Sequence, residues 1–345
     1  MNAAAQLPLR ALPLLWLGSR GGLEAGMVNR AGLPFRAIRG SGLHGVGWRL
    51  PLNALDLVLG LGEAIGLVRA YQPDVLLVTG GFITVPAALA AWLQGVPVLV
   101  YLPDIEPGLA VKLIARLARR IAVTVEDSRR FFSGREVVVT GYPTRAGLEA
   151  ASRAQAQAHF GLEPHRPTLL VTGGSRGARS LNRAVLAALP GWLKDYQVIH
   201  LSGELDWAEV ELAKAALPAD LQARYHAFPF LHEMGLALAA ADLVVSRAGA
   251  SALGEYSLFG LPAILVPYPY AWRYQKVNAD YLAERGAALV LKDEDLAHEL
   301  AGQVRALLGD PARLAAMRAA SRAAARPGAA ERIAAELKQI GRRRP

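Results

Sequence analysis

The chain has 345 residues, a length that is typical of two domains, and its 53% hydrophobic content can fill two cores. It contains no cysteine, which excludes a disulfide framework, thiolate metal sites and a cysteine nucleophile. The formal net charge of +9 favours anionic partners, but the basic residues are dispersed and no aromatic and basic RNA-binding signature is present, so nucleic acid is not the expected partner.

Apolar runs of strand type alternate with alanine-rich helical segments, which is typical of an α/β protein with parallel sheets. The runs predicted to be strands are 13–18, 74–79, 97–102, 120–125, 136–141, 168–173, 196–203, 224–228, 242–247, 262–267 and 287–292. Residues 75–103 carry no charge, but glycines and prolines divide them into strand, turn, helix and strand. A buried βαβ unit is therefore predicted there in preference to a membrane span.

The domain boundary is predicted where strands are missing and prolines cluster. Residues 1–147 are predicted to form an N-terminal domain and residues 167–330 a C-terminal domain, joined by a polar linker over 148–166. Each half then holds enough strands for one doubly wound domain. Residues 331–345 are predicted to be a basic tail, and its end, "GRRRP", is predicted to be solvated or to touch anionic lipid.

The stretch "LLVTGGSRGARSLN" (169–182) runs from a strand through glycines into a helix. Unpaired N–H groups at a helix start suit an anion, and Gly173, Gly174 and Gly177 allow the backbone to approach it closely. The spacing is neither a dinucleotide fingerprint nor a Walker loop. Phosphate binding and a plain tight turn both remain open for this segment.

A second turn of this kind follows the strand at 242–247. There, Ser251 is predicted to cap the next helix, which would make a second anion cradle around Ala250. Glu255 lies one helical turn further on the same face, where a carboxylate would accept hydrogen bonds from ribose hydroxyls. A helix-surface glutamate is the alternative.

Two further segments carry candidate ligand contacts. Gln275 and Asn278 are three residues apart at a helix start, and their amides suit sugar hydroxyls, unless the helix is simply amphipathic. In "FPFLHEM" (228–234), a loop after a strand would present backbone groups to a base edge beside Phe230, although core packing is the more common role of a phenylalanine.

Together these motifs resemble the MurG family of glycosyltransferases. The match follows the order and spacing of "GGSRGARSLN", "PFLHEM", "ADLVVSRAGASALGE", "GLPAILVPYP" and "QKVNA" in the second half. The first half is similar over 16–45, 72–98, 107–123 and 139–145. The resemblance implies a GT-B fold of two doubly wound, Rossmann-like domains facing a cleft. It also implies inverting transfer of N-acetylglucosamine from UDP-GlcNAc to a lipid-linked muramyl-pentapeptide, the step that makes lipid II in peptidoglycan synthesis.

The resemblance implies roles for individual residues. Gly174, Ser175, Ala250 and Ser251 would hold the diphosphate, and Arg145 would reach it from the interdomain side. Uracil would lie against Phe230 and Leu231, the ribose against Glu255, and the sugar against Gln275 and Asn278. The acceptor-side residues would be Gly80, Gly81, Phe82 and Asp104. No cofactor or divalent metal is implied, since no Asp-X-Asp lies near the glycine turns.

The sequence departs from the family in its first half. The family's opening strand and Gly-Gly-Thr-Gly-Gly-His loop, whose histidine is the proposed general base, have no counterpart here. We expect either that the natural protein starts further upstream or that this is a variant that no longer catalyses. Tyr101 to Asp104 replace a His-Glu-Gln-Asn run, with Leu102 in place of the glutamate, which leaves Asp104 as the fallback base.

The resemblance also implies partners and a location. A peripheral position at the cytoplasmic face of an anionic membrane is expected, through a helix in 107–123 with apolar and basic residues side by side. The apolar members are Leu109, Leu113, Ile114, Leu117 and Ile121, and the basic members are Lys112, Arg116, Arg119 and Arg120. A core-facing helix with a basic solvent side is the alternative.

Three other functions remain open for this sequence. One is transfer to another lipid acceptor, such as diacylglycerol, and one is a UDP-GlcNAc 2-epimerase of the same fold, although acidic residues expected in its cleft are not evident. The third is a non-catalytic UDP-sugar-binding protein, which the missing histidine favours.

Overall fold

The computed structural model describes residues 13–20, 24–40, 50–174, 177–270 and 272–342. The chain divides into two compact units. Unit 1 comprises Met1–Thr140 together with Glu331–Pro345, and unit 2 comprises Gly141–Ala330.

The described strands of unit 1 form two separate parallel sheets. They are β1 (Trp16–Ser19), β2 (Phe35–Ile38), β3 (Leu76–Val78), β4 (Val98–Leu102), β5 (Arg120–Val123) and β6 (Val137–Val139). β1 pairs with β2, and the other four form a sheet in the order β3-β4-β5-β6. Alternate side chains of a strand point to opposite faces. Val98 and Val100 accordingly lie in one core, and Leu99 and Tyr101 lie in another.

Helices connect these strands in the manner of βαβ units. They are α1 (Glu24–Arg30), α2 (Leu50–Tyr71), α3 (Thr84–Leu93) and α4 (Leu109–Ile114), with a 3₁₀ turn over Glu126–Phe131. The βαβ unit predicted within 75–103 is confirmed as β3, α3 and β4. Within the described residues, no helix combines the length and the apolar character that a membrane span requires.

Unit 2 is built on one continuous parallel sheet. Its strands are β7 (Thr168–Thr172), β8 (Gln197–Leu201), β9 (Tyr225–Phe228), β10 (Leu243–Ser246), β11 (Ala263–Leu265) and β12 (Ala288–Val290), in the order β12-β11-β10-β7-β8-β9. All five residues of β7 and all five of β8 are buried, as expected for the interior of a parallel sheet.

The helices of unit 2 pack against this sheet. They are α5 (Arg153–Phe160), α6 (Arg179–Trp192), α7 (Trp207–Ala215), α8 (Ala219–Gln222), α9 (Met234–Ala240), α10 (Ser257–Phe259), α11 (Trp272–Glu284), α12 (Leu296–Leu308) and α13 (Pro311–Ala323). Short turns of 3₁₀ helix cover Leu148–Ala150, Glu204–Asp206 and Asp293–Asp295, and a π-helix covers Ala252–Tyr256. In α6, Leu181, Val185 and Leu189 repeat every four residues and form the buried face.

The final helix, α14 (Ala329–Ile340), contradicts the predicted tail over 331–345, the last three residues of which lie outside the described residues. From Glu331 onward it belongs to unit 1, where Ile333 is buried against Leu99, Tyr101 and Ala122. Apolar residues at 333, 337 and 340 give the helix a face to bury, so the segment packs instead of extending into solvent.

The predicted linker over 148–166 is also folded. It contains α5, whose start is fixed by a capping box between Ser152 and Gln155 and whose last residue, Phe160, is buried. The unit boundary falls at Gly141, so this segment lies within unit 2.

Every predicted strand overlaps an observed one, whereas β2 was missed. β2 has only four residues, and Arg36 interrupts its apolar pattern.

Candidate active site

The sheet of unit 2 reverses its direction of growth between β7 and β10. From β7 the chain moves outward to β8 and β9, and from β10 it moves outward on the other side to β11 and β12. Thr172 and Ser246, the last residues of the two central strands, are directly paired. Ligands of open α/β sheets bind outside the carboxyl ends of the strands at such a point. The loops after β7 and β10 are therefore the candidate ligand-binding loops.

The first loop is shaped by glycines. A Cβ on Gly177 would lie 2.2 Å from the Ser202 carbonyl oxygen, and the φ of Gly177 is +75°, so other residues are excluded there. Gly174 also has a positive φ, +81°. α6 begins directly after this loop, and its N-cap, Ala178, makes no side-chain cap. Among the described residues no side chain caps α6, which fits the prediction that its first N–H groups face an anion. Ser175 lies outside the described residues.

The second loop differs from its prediction. Ser251 has helical backbone angles and makes no side-chain cap, because a cap requires a non-helical residue. The chain instead enters a π-helix at Ala252, a form that occurs frequently at functional sites. Ala250 and Ser251 are partly exposed at the carboxyl end of β10.

Glu255 and Arg145 lie close enough to interact electrostatically. Gly254 packs against Tyr142, where an added Cβ would lie 2.6 Å from the tyrosine Cβ, so the segment carrying Arg145 lies beside the π-helix. Burial raises the pKa of Glu255 above its usual range, and the positive charge of Arg145 opposes that shift. A partly buried carboxylate beside an anion site is suited to accept hydrogen bonds from hydroxyl groups.

The two amides of α11 have different surroundings. The Oε1 atom of Gln275 accepts a hydrogen bond of 2.9 Å from the Tyr268 N–H, which places this amide at the loop after β11. Asn278 is fully buried, and its amide donates to the Ala248 carbonyl oxygen at 3.2 Å. The prediction that both amides face a ligand is therefore wrong for Asn278, which lies on the buried face of α11 and braces the second loop.

The loop after β9 ends at the same edge of the sheet. Phe230 is 45% exposed, whereas Leu231 is buried. The Phe230 ring meets His232 edge-on at 4.8 Å. An exposed ring at this edge is available to a planar ligand, so core packing does not account for Phe230.

A buried polar network beneath the first loop was not predicted from the sequence. His200 is fully buried, with its ring nitrogens 2.7 Å from the Tyr225 hydroxyl and 3.0 Å from the Asn182 Oδ1. The Asn182 amide donates to the Ser202 carbonyl and to Asp206, both at 2.8 Å. Burial lowers the pKa of His200 to about 4. The Ser202 carbonyl that contacts Gly177 is thus fixed from below by a neutral histidine and its partners.

Arg247 was also not predicted, although it lies within "ADLVVSRAGASALGE" (241–255). It follows β10 directly, its side chain is 10% exposed, and it forms an ion pair with Asp293 at 2.6 Å. No local pattern in the sequence connects these two residues, which follow different strands.

The predicted acceptor-side residues lie in unit 1 at the ends of neighbouring strands. Gly80, Gly81 and Phe82 follow β3, and Asp104 follows β4, which pairs with β3 in parallel. Gly80 and Gly81 have φ values of +109° and +84°. Leu102, the residue in place of the family's glutamate, is buried in the core, and the Tyr101 hydroxyl is 3.0 Å from Thr124 Oγ1.

Two Rossmann-like units with parallel sheets, one of which carries two glycine-bearing loops at its switch point, are the architecture of the GT-B class of glycosyltransferases. Models of the two domains of one family match the chain. The N-terminal domain of glycosyltransferase family 28 matches residues 3–123, and its C-terminal domain matches residues 168–333. The chain belongs to glycosyltransferase family 28.

Individual relatives agree with this assignment. The UDP-N-acetylglucosamine--N-acetylmuramyl-(pentapeptide) pyrophosphoryl-undecaprenol N-acetylglucosamine transferase of Roseiflexus sp. (strain RS-1) is 42% identical, with 96% of this chain and 84% of the relative aligned. The crystal structure of Acinetobacter baumannii MurG superposes with a TM-score of 0.75 at 25% identity, over 94% of this chain and 90% of the other. The calicheamicin glycosyltransferase CalG4 shares the fold, with a TM-score of 0.65 at 17% identity over 94% and 91%. The resemblance to the MurG family is thereby confirmed.

Proposed function

We propose that this protein transfers N-acetylglucosamine from UDP-GlcNAc to a polyprenyl-diphosphate-linked muramyl-pentapeptide, with inversion at the anomeric carbon. The observation that carries the proposal is the convergence, at one edge of the sheet in unit 2, of two glycine-bearing turns with Glu255 and Gln275. The relative that is 42% identical over 96% of this chain bears the name of this activity.

The donor would be held by groups of matching chemistry. The N–H groups around Gly174 and Ala250 would donate to the diphosphate, together with Ser175, Ser251 and Arg145. Glu255 would accept from the ribose hydroxyls, and Gln275 would bind the sugar. Phe230 and the backbone at Leu231 would contact uracil. Asn278 would not contact the sugar but would support the loop after β10, through its hydrogen bond to the Ala248 carbonyl.

Transfer requires two kinds of assistance. Negative charge builds on the departing UDP, and the helix-start N–H groups and the Arg145 guanidinium would stabilise it. The attacking acceptor hydroxyl must also lose a proton to a base. Asp104, partly buried at the carboxyl end of β4, is our candidate for that base. We propose a reaction without a cofactor or a metal, so that activity is unchanged by EDTA.

The direct test is product formation by this chain. Radiolabelled UDP-GlcNAc and a lipid-linked muramyl-pentapeptide are incubated with the protein, and labelled lipid product is separated and counted. Labelled product and stoichiometric UDP support the proposal. Binding of UDP-GlcNAc without any product from this acceptor would contradict it.

A second acceptor class has one specific observation in its favour. Leu102 buries an aliphatic side chain where the family places a carboxylate, and Tyr101 points into the core. If the acceptor is another lipid, such as diacylglycerol, the same assay with that lipid would give labelled product while the muramyl lipid gives none. No product with either acceptor, from a chain that binds the donor, would favour a non-catalytic UDP-sugar-binding role.

We also propose contact with an anionic membrane surface through the start of α4. Leu109 and Leu113 are 56% and 48% exposed, next to exposed Lys112, Arg116 and Arg119. The exposed patch is smaller than the one predicted within 107–123. Ile114 and Ile121 are buried in the core, and Arg120 pairs with Glu136 and Glu336.

The membrane proposal is tested by sedimentation with phosphatidylglycerol-containing vesicles. The paired change Leu109→Asp and Leu113→Asp should release the protein from the vesicle pellet. The same change at Leu205 and Leu212, two exposed leucines of unit 2, is the matched control. Equal sedimentation of all three proteins would contradict the proposal.

A further inference from the structure

Arg247 occupies the junction between the two anion-binding loops. It is the first residue after β10, and its side chain is nine-tenths buried. The Nη2 atom donates to the Ser180 hydroxyl at 2.9 Å, which ties it to the first turn of α6. The Nη1 atom donates to the Val266 carbonyl at 3.3 Å, which ties it to the end of β11.

A carboxylate closes this arrangement. Asp293, in the turn after β12, pairs with Nη1 at 2.6 Å and accepts from the Ser180 hydroxyl at 2.7 Å. Arginine, serine and aspartate therefore form a triangle that joins segments following β7, β10 and β12. Because a guanidinium is a rigid planar fork, it fixes the relative positions of these segments more tightly than an ammonium would.

Contacts continue from Arg247 to the residue assigned to the sugar. The guanidinium lies over the Tyr268 ring, 5.3 Å from its centroid. The Tyr268 N–H in turn donates to Gln275 Oε1 at 2.9 Å. On the other side, the carbonyl of Ala248, the neighbour of Arg247, accepts from Asn278 on the same helix. Arg247 and its neighbour thus hold α11 at two points.

The Arg247 Nε atom is buried and has no hydrogen-bond partner among the described residues. An unsatisfied buried donor lowers stability, and one that persists in a folded protein calls for an explanation other than stability. The lost stability is consistent with a guanidinium whose position is set by its contacts to the two loops and leaves one donor, Nε, without a hydrogen bond in the described part of the chain.

We propose that Arg247 is a positioning residue that couples the diphosphate cradle to sugar selection by Gln275. It acts through Ser180 on the first cradle and through Tyr268 on Gln275, and it does not touch the donor itself. This inference rests on the proposed function, since it assumes that the edge of unit 2 binds a UDP-sugar.

The test uses calorimetric titration of the full chain with UDP-GlcNAc and UDP-glucose. Arg247→Lys keeps the charge but cannot reach all three partners, and Ser180→Ala removes one arm of the triangle. The matched control is Arg153→Lys. Arg153 pairs with Asp242 at 2.8 Å before β10, at the opposite edge of the same sheet. We expect Arg247→Lys to weaken UDP-GlcNAc binding about tenfold and to reduce the preference over UDP-glucose. Ser180→Ala should show a smaller change in the same direction, and the control should show none.

A double-variant cycle separates positioning from general damage. If Arg247 acts through Gln275, Arg247→Lys should no longer change the sugar preference in a Gln275→Ala background. An unchanged affinity and sugar preference in Arg247→Lys would overturn the inference, as would an equal loss in Arg153→Lys. If the folded wild-type chain binds neither UDP-sugar, the proposed function fails and this inference fails with it. If the wild type binds and only the Arg247 result is negative, the proposed function stands.

Discussion

The carboxyl edges of the two units are built differently. In unit 2 a single six-stranded sheet carries loops that are tied together by buried groups, including the Arg247–Asp293 pair and the His200–Asn182 contact. In unit 1 the described strands form a two-stranded and a four-stranded sheet, and the edge near β4 is apolar at Leu102. This difference supports the proposal that the tied loops of unit 2 recognise the donor. The residues assigned to the acceptor lie on the corresponding edge of unit 1, where Thr124 Oγ1 donates to the Leu102 and Pro103 carbonyls.

The largest expected difference between the two edges is in the stability lost when a loop glycine is replaced by alanine. In Gly177→Ala the new Cβ meets the Ser202 carbonyl at 2.2 Å and the backbone keeps a φ of +75°, which should destabilise unit 2 by roughly 4 kcal/mol. Gly81→Ala in unit 1 has a φ of +84° but no atom within 4 Å, so it should cost about 1 kcal/mol. Urea unfolding followed by tryptophan fluorescence measures both. Equal losses would show that the loop after β7 is no more constrained than the loop after β3.

The next effect concerns the buried histidine. The pKa of His200 is about 4 in the folded protein against 6.5 when exposed, so the unfolded chain takes up the proton first as the pH falls. The titration of His200 does not reduce the free energy of unfolding above pH 6.5. As the pH falls from 6.5 toward 4, it lowers the free energy of unfolding by roughly 3 kcal/mol in total.

His200→Gln should remove this part of the pH dependence of the free energy of unfolding. The comparison is between urea unfolding curves of the variant and the wild type at several pH values between 4 and 7. Other titrating groups, including His226, contribute equally to both proteins and cancel in the difference. A difference in stability that does not vary with pH would show that His200 is not held neutral beneath the first loop.

A smaller effect, on UDP-GlcNAc affinity, is expected at Gln275, the residue assigned to the sugar. The Tyr268 N–H occupies the carbonyl oxygen of Gln275, which leaves the amide NH₂ to donate to a ligand. Gln275→Glu keeps the acceptor and removes the donor, so UDP-GlcNAc affinity should fall about tenfold. Gln94→Glu in unit 1, where the amide donates to the Ile65 and Ala90 carbonyls, is the control and should leave the affinity unchanged. A tighter complex with Gln275→Glu would reverse the assignment of the amide.

What the sequence could predict depends on whether the signal is local. Strands such as 168–172 are continuous apolar runs between turns, and clustered glycines mark the turns, so the strands and the positions of both loops could be predicted, but not the π-helix after the second loop. The spacing of Ile333, Leu337 and Ile340 fits the helix at 329–340, but spacing alone does not show that unit 1 offers an apolar surface for that face. Asn278 was misplaced because spacing on a helix gives a face, not whether that face is buried.

Long-range pairs could not be predicted in the same way. Arg247 and Asp293 follow β10 and β12, and they meet only because the intervening strand places both at one edge. His200 bonds to Tyr225 of β9 and Asn182 of α6, and Asn182 bonds to Asp206, so no single motif contains this network. Such contacts are consequences of the sheet order, which sequence pattern alone leaves open.

The most direct test of the central claim, that unit 2 recognises the donor, is calorimetric titration of the chain with UDP-GlcNAc, with UDP-glucose as control ligand. We predict saturable binding that prefers UDP-GlcNAc. It should be weakened roughly 10- to 100-fold in Glu255→Gln and unchanged in Asp104→Asn of unit 1. Because burial raises the pKa of Glu255, its ionised form costs stability above pH 4.5, so Glu255→Gln should fold at least as stably as the wild type. No binding by the folded wild-type chain, or equal binding by Glu255→Gln, would contradict the claim.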